Sequence, residues 1–374
     1  MSNLADMLVY ADINQLHKMA QLYQCECNSN SKHELIQAIM TTIHSKDTLE
    51  KQIESMSLAE LRFVNSLLFE INRSYSLEDL LAKAQQSNKV VPITAETDKV
   101  KSQQQPRELI SKLRHRGFLF NGHREQTKYL FHVPRDMQHS YQAMLKKKFA
   151  QQLTYTADPA LYRDEQRLLQ ADITITLQFI KEQDVMLIAD GSMYKRYLTA
   201  LLEQLHIEEQ LPTKVAWRFG YGRHFTHYPD RFSLLYDYCI AQKYIAEQVT
   251  GNLTLLAPGE LRLLEDKEVQ AASKWKAESM RLYVHWMKVY KKAIPNMPSL
   301  VTWIVQLADQ WVTLDSLEAV LLPYLNDFYY EQSTDVFRKR IVKPMIHLGL
   351  LRYGEIEEAG TVIKTTSLCK TIVH

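Results

Sequence analysis

A chain of 374 residues, 46% apolar and 24% charged, can build two to four compact units, each with its own core. Its net charge of +2 excludes a whole-molecule attraction to nucleic acid, so any basic site must be local. No apolar run approaches the ~18 residues of a membrane span.

Ten glycines and eleven prolines against thirteen methionines point to a mostly helical protein. The start, MSNLADMLVY, lacks the basic stretch of a secretory signal. Cys25, Cys27, Cys239 and Cys369 are scattered, as suits reduced thiols in a cytoplasmic protein rather than a disulfide framework.

Residues 1–46 read as a helix–loop–helix. Asp12 with Gln15 forms one expected capping box, ahead of Leu16, Met19, Ala20 and Tyr23 on one face. Ser31 with Glu34 forms a second, ahead of Leu35, Ile36 and Ile39. This hairpin, linked by CECNSN and ending in SKHELIQAI, resembles a SAP-type DNA-binding module. The resemblance implies DNA contact near Lys32 and His33, where the N–H groups opening the second helix also face a phosphate. The competing reading is a helical hairpin docked on its neighbour.

Residues 47–150 hold the first of three similar units. Leu58–Phe69 reads as an apolar-rich helix, and Ser76 with Asp79 caps a second that turns Leu77, Leu80 and Leu81 inward. From Gln85 to Gln105 the chain is polar and without sustained periodicity, which reads as a mobile insertion (85–105). Pro106 then opens a third helix, since its missing N–H is not needed at a first helical position. Leu109, Ile110 and Leu113 share one face, and Gly117 stops the helix. Phe118–Phe120 and Tyr129–Val133 follow as strands around the polar NGHREQTK. Helix, glycine, strand, polar wing and strand make the second half of a winged helix-turn-helix. Gln104, Glu108, Ser111 and His115 point away from the apolar face, flanked by Arg107, Lys112 and Arg114. Such flanking cations suit groove docking, where phosphate contacts position and central side chains read bases. The bland alternative for a charged face is solvation.

The pattern recurs in 160–265. Arg167–Lys181 reads as a helix, Val185–Ala189 as a strand ending in the turn Asp190-Gly191, and Met193–Leu205 as a helix with Tyr194, Leu198, Leu201 and Leu202 inward. Between 217 and 232, aromatic residues surround Arg218, Arg223 and Arg231. They form either a base-stacking platform or an aromatic loop packed on the core. The helix Asp230–Ala246, a turn at 249–252 and the strand Leu253–Leu256 complete this copy. Its outer face is not basic, so it is expected to serve packing or a partner protein.

Residues 266–284 read as a polar helical connector. In 285–374, Thr313 caps a helix containing Leu314, Leu317, Val320 and Leu321. The next helix, within VFRKRIVKPMIHLG, turns Phe337, Ile341 and Leu348 inward, Lys339 and Lys343 outward, and Arg338 and Arg340 to the flanks. Pro344 is expected to kink or break it. Gly349, the strand Leu350–Tyr353, an acidic tip (Glu355, Glu357, Glu358) and a return strand near Val362 finish a third copy.

There is no G-x-x-x-x-G-K-[ST], H-E-x-x-H or G-x-S-x-G, so no P-loop, zincin or nucleophile-elbow chemistry is claimed. Cys25 and Cys27 form a lone C-x-C without a second pair. His224 and His227 are close in sequence but lack further ligands at metal spacing. No catalytic residue, cofactor, metal or small-molecule substrate is assigned.

LADML at 4–8, MSLAELRFVNSLLF at 56–69, LIADGSMYKRYLTALLEQL at 187–205 and the closing HLGLLRYG…IKTTSLCKTIV resemble bacterial helicase-associated proteins related to the amino-terminal region of XPB-type helicases. The resemblance runs over most of the chain and rests on hydrophobic patterns. It implies a place in DNA transactions, beside or fused to a helicase. With no motor of its own, this chain would be an accessory factor. The expectation is therefore a mainly α protein with small β-hairpin wings: tandem winged helix-turn-helix units behind a SAP-like hairpin. It would bind DNA without catalysis through Lys32, Arg107, Ser111, Lys112, Arg114, His115, Arg338, Lys339, Arg340 and Lys343. The alternative is an adaptor docking a helicase, polymerase component or regulator without touching DNA.

Overall fold

The computed structural model describes residues 3–28, 30–70, 74–87, 96–122, 124–212, 222–265, 271–328 and 331–373. The chain is mainly helical with small antiparallel sheets and divides into two compact units, Met1–Gln152 and Leu153–His374. Among the described residues no helix is long and apolar enough to cross a membrane. The four cysteines are unpaired.

The first unit begins with α1 (Leu4–Tyr10), α2 (Ile13–Leu22), α3 (Lys32–Ile43) and α4 (Lys46–Glu54). It continues through α5 (Leu58–Leu68), α6 (Leu77–Ser87), α7 (Glu96–His115), the hairpin β1 (Phe120–Asn121) and β2 (Phe131–His132), and α8 (Arg135–Ala150). Asn3 and Asp6 form the capping box of α1, and the Asp136 carboxylate accepts from the Leu4 N–H at 2.9 Å, tying α1 to α8. The boxes expected at Asp12 and Ser31 are half formed. Asp12 accepts from the Gln15 N–H at 2.7 Å and Ser31 from the Glu34 N–H at 3.3 Å. The return bonds are lost to better-placed partners. The Gln15 amide donates to the Arg114 and Leu119 carbonyls (3.4 and 3.5 Å), and Glu34 takes the Asn28 N–H at 3.3 Å.

The helical hairpin lies within the first compact unit, docked along α7. Gln15, Met19 and Tyr23 recur every fourth residue on one face of α2. Gln15 and Tyr23 donate to carbonyls at and just beyond the end of α7; the Tyr23 hydroxyl donates to the Arg116 carbonyl at 2.7 Å. Met19 closes on Gly117, whose φ is +68° and where a Cβ would stand 2.6 Å from Met19 Cε. Only glycine adopts that conformation freely.

A buried relay fixes the same corner. Tyr141 donates to Gln52 Oε1 at 2.6 Å, the Gln52 amide donates to the Tyr23 hydroxyl, and Tyr23 donates to Arg116. Burial holds both phenols well above their ordinary range, so they stay protonated donors. Gln52→Leu strands the Tyr141 hydroxyl and is expected to cost about 1–3 kcal/mol, read by chemical denaturation of the intact chain. An unchanged midpoint would show the relay to be idle.

The third helix of this unit does not open at Pro106. It starts at Glu96 and carries Pro106 in its interior. Residues 96–105, ETDKVKSQQQ, supply straight-chain Glu, Lys and Gln of good helix propensity but no apolar stripe. A helix nucleated downstream propagates into them at one bond per residue fixed. Of the stretch read as an insertion, 88–95 lies outside the described residues.

The second unit begins with β3 (Tyr162–Arg163), α9 (Leu168–Glu182), α10 (Lys195–Leu202), α11 (Asp230–Ala241), β4 (Ile245–Glu247) and β5 (Leu253–Leu255). There follow α12 (Ala257–Glu265), α13 (Ala271–Tyr290), α14 (Met297–Leu307), β6 (Val312–Thr313) and α15 (Leu314–Leu321). Then come α16 (Ser333–Asp335), a π-helical segment Val336–Val342, α17 (Lys343–His347), β7 (Leu351–Ile356), β8 (Gly360–Thr365) and α18 (Ser367–Ile372). One sheet runs β3-β7-β8-β6, and β4 pairs with β5.

Several sequence expectations change here. Tyr194 is exposed and precedes α10 rather than packing inward. The helix read as reaching Ala246 ends at Ala241, because Lys243 turns left-handed (φ +57°) and β4 begins. Of the connector read at 266–284, residues 266–270 lie outside the described residues and the rest belongs to α13, whose inner face joins the core. On α13, Glu278, Ser279, Leu282 and Trp286 are buried, so polar side chains that looked solvated are spent on internal bonds. Pro344 does not break its helix. The π segment just before it widens the turn, which accommodates a ring that would collide with the Arg340 carbonyl in a regular α-helix.

Among the described residues one motif occurs three times. After α7, α11 and α17, a left-handed residue (Gly117, Lys243, Gly349) is followed by an antiparallel hairpin. Each carries the same pair of capping bonds. Phe118 donates to Leu113 and Gly117 to Arg114; Tyr244 to Cys239 and Lys243 to Ile240; Leu350 to Met345 and Gly349 to Ile346, all between 2.8 and 3.1 Å. These are Schellman caps. In each case an earlier extended residue pairs with the hairpin's second strand: Tyr75 with Phe131, Val185 with Leu253, and β6 with β8.

Candidate nucleic-acid interface

In α7 the apolar face packs inward through Leu109, Ile110 and Leu113, all buried, and leaves Arg107, Glu108, Ser111 and Lys112 exposed. Arg114 and His115 are half-buried. Burial, then the nearby cations Lys18 and Arg114, hold the His115 imidazole below its ordinary value. At neutral pH it is therefore an uncharged donor and acceptor. Lys18, on α2, was not among the expected residues, because its place beside His115 arises only when α2 docks.

One carboxylate tempers this surface. Burial opposes ionisation of Glu60, yet bonds from the Ser57 N–H and hydroxyl, with the Lys112 and Arg116 cations, hold its carboxyl below the usual range. Lys112 Nζ stands 3.7 Å and Arg116 Nη2 3.8 Å from Glu60 Oε1. Arg116 is thereby positioned rather than offered, while Lys112 remains 56% exposed.

The β1–β2 wing adds what the helix lacks. Arg124 is exposed, Lys128 lies 5.2 Å over the Tyr129 ring, and Tyr129 is 75% exposed, with Glu125 the nearby acid at 3.4 Å from Lys128. The sequence showed this only as a polar spacer. His123 of the same spacer lies outside the described residues. Lys32 is exposed, but it stands at the opposite end of α3 from Ile43, the residue beside Gly117. That is roughly 16 Å along the helix at 1.5 Å per residue.

The other expected helices are differently placed. Arg340 is buried, with Nη1 2.9 Å from Asp230 and Nη2 against Glu331. Burial opposes its charge, but the Glu331 bonds and the Asp230 and Glu331 carboxylates hold its pKa above the ordinary value. It cannot reach a phosphate. Arg338 is held by Asp315 (2.7 Å) and by Glu318, and Lys339 by Asp335 (2.9 Å). Lys343 is exposed. The helix α11 has no face to present: Arg231 through Tyr236, Tyr238 and Cys239 are buried.

The described part of the aromatic–arginine loop serves packing, not base stacking. Tyr228 and Phe232 are fully buried, edge to face at 5.1 Å. Arg223 and His224 turn to Glu247 (3.1 and 2.8 Å), and His227 to Asp190 at 3.4 Å. Trp217 and Arg218 lie outside the described residues. Among the described residues no group of three or more His, Cys, Asp or Glu is arranged to hold a metal ion. No protein-family model, curated protein or solved structure matches the chain.

Proposed function

We propose that this chain is a non-enzymatic DNA-binding accessory protein built on three winged helix-turn-helix units. The first meets DNA through α7 and the β1–β2 wing. The second and third, joined by the Arg340–Asp230 pair, serve as a scaffold for a helicase or polymerase component. The observation that carries this reading is that, of the three cap-and-hairpin helices, α7 alone combines an exposed cationic flank with a cationic wing. Arg107, Lys112, Arg124 and Lys128 would neutralise phosphates while Ser111 and neutral His115 approach base edges.

Fluorescence anisotropy of the intact chain on labelled duplex across a salt series tests it. Arg107→Ala/Lys112→Ala/Lys128→Ala is expected to flatten the slope of log K against log[salt] by about 2.7, at 0.9 per phosphate contact. Lys339→Ala/Lys343→Ala, outside that surface, is expected to change it by at most about 1. Equal slopes for wild type and the triple variant would retire the assignment. A second reading, a protein-docking adaptor, is favoured by the exposed apolar side chains Leu261 and Leu264 on α12 and Met280 and Val284 on α13.

A further inference from the structure

The second unit contains a cleft of about 600 Å³ between α9, α12 and α13. Its floor is rigid. Arg262 is bidentate to Glu278 (Nε and Nη2, each 2.9 Å), and donates to Thr174 Oγ1 at 2.8 Å and to the Gln170 carbonyl at 3.1 Å. Gln170 in turn clamps α9 to α13 through the Trp275 carbonyl (3.0 Å) and Ser279 (2.6 Å). Glu278, the carboxylate among the lining residues, is therefore spent on Arg262. At the rim stand three exposed cations, Arg167, Lys274 and Arg281. The Arg167 guanidinium stacks on the Trp275 ring at 4.2 Å, and the indole N–H of Trp275 is buried without a hydrogen-bond partner among the described residues.

We infer that this cleft binds a phosphorylated ligand carrying a planar ring, of the nucleoside-phosphate class. The volume is far larger than an inorganic anion needs and falls in the range of small-molecule sites. Three cations on a rim whose acid is already neutralised suit phosphate oxygens. Ile175 and Leu261 give a ring an apolar wall. This surface is independent of α7 and its wing, so the inference stands or falls apart from the DNA reading.

The test is isothermal titration of the intact chain with AMP, ATP, inorganic phosphate and a 5′-phosphorylated thymidine tetranucleotide. AMP or ATP is expected to saturate below about 1 mM, with inorganic phosphate at least about tenfold weaker. Lys274→Glu/Arg281→Glu is expected to weaken AMP about tenfold or more. The control Lys339→Glu/Lys343→Glu, equal in charge change and in the same unit, is expected to bind as wild type. Leu261→Asp, at a side chain already 60% exposed, places a carboxylate on the wall without disturbing the core and is expected to weaken AMP as well. A tetranucleotide that outcompetes AMP in wild type but not in the Lys274/Arg281 variant identifies a strand end as the source; AMP alone identifies free nucleotide. Phosphate binding as tightly as AMP overturns the ring contact. Equal losses in both charge-reversal variants, or no saturation by any probe, overturns the site. Arg107→Ala/Lys112→Ala/Lys128→Ala is expected to leave AMP affinity unchanged whatever it does to DNA.

Discussion

Asp172→Ala is expected to destabilise the second unit by about 3–5 kcal/mol, the cost of leaving a buried charge without its partner. Asp172 and Arg231 are both fully buried, with Oδ2 and Nη2 2.5 Å apart. Among the described residues no guanidinium nitrogen of Arg231 makes an aligned hydrogen bond, so ion pairing is what compensates its desolvation. A second carboxylate, Glu165, is 3.9 Å from Arg231 Nε and already serves Arg163 (2.6 Å) and His347 (2.9 Å). Burial opposes its ionisation, but the His347 bond and the surrounding cations hold its carboxyl below the ordinary range. It therefore stays charged but cannot take over a second guanidinium. Asp172 also accepts from the His206 backbone N–H at 2.9 Å and meets its ring at 2.6 Å, so a loop end is released too. In a thermal scan the loss corresponds to roughly 10 °C for a unit of this size. The double variant Asp172→Leu/Arg231→Met is expected to recover most of it, because an apolar pair of similar volume carries no desolvation cost. If the single variant melts within a degree or two of wild type, the network does not hold this unit together.

That network was not legible in the sequence, and the reason is physical. Glu165, Asp172, Arg231 and His347 are as much as 182 residues apart, and nothing local marks any of them as buried. Arg340 failed for a different cause. A projection at 100° per residue places it on a flank of its helix. The π segment ahead of Pro344 adds a residue to the turn and rotates Arg340 into the core against Asp230. The cleft of α9, α12 and α13 likewise assembles from residues more than a hundred positions apart, several within a stretch that read as a polar connector.

What could be read was local chemistry. Gly117 and Gly349 were visible as helix stops because left-handed backbone selects glycine. The acidic tip at 355–358 and its flanking strands were visible because a turn between alternating runs has its own composition. The Lys243 cap was missed because lysine gives no such signal. Tyr75 and β6 were missed because one or two residues cannot show a period of two. In α7 the outward cations were readable from Arg107 to Lys112. The wing partner Tyr129 was hidden by its own hydrophobicity, which suggested a strand interior where the chain exposes the ring.

Gly349→Ala is expected to cost about 2–5 kcal/mol, from about 1–2 for an L-residue held left-handed and about 1–3 for overpacking. Its φ is +70°, and a Cβ would stand 2.4 Å from the Gln166 carbonyl oxygen and 3.0 Å from that residue's Cα and carbonyl carbon. Those are backbone atoms with little freedom. Gln166 is itself left-handed at +37°, and the Glu165 carbonyl beside it accepts the Leu168 N–H at 2.7 Å to start α9. Moving this corner also moves the Glu165 carboxylate off His347. Gly117→Ala offers the internal comparison. It has the same backbone strain, at φ +68°, but its Cβ meets the end of a flexible methionine side chain. It is expected to cost only about 1–2 kcal/mol, and Lys243 shows that a cap of this kind tolerates a side chain where space allows. Chemical denaturation of the two variants should therefore order them with Gly349→Ala the less stable. Their effects on DNA should run the other way: Gly117 sets the end of α7 and the start of its wing, whereas Gly349 lies in the unit whose cap helix carries Arg340 inward. A Gly349→Ala protein that lost DNA affinity while remaining folded, with Gly117→Ala unaffected, would place the nucleic-acid surface in the second unit instead.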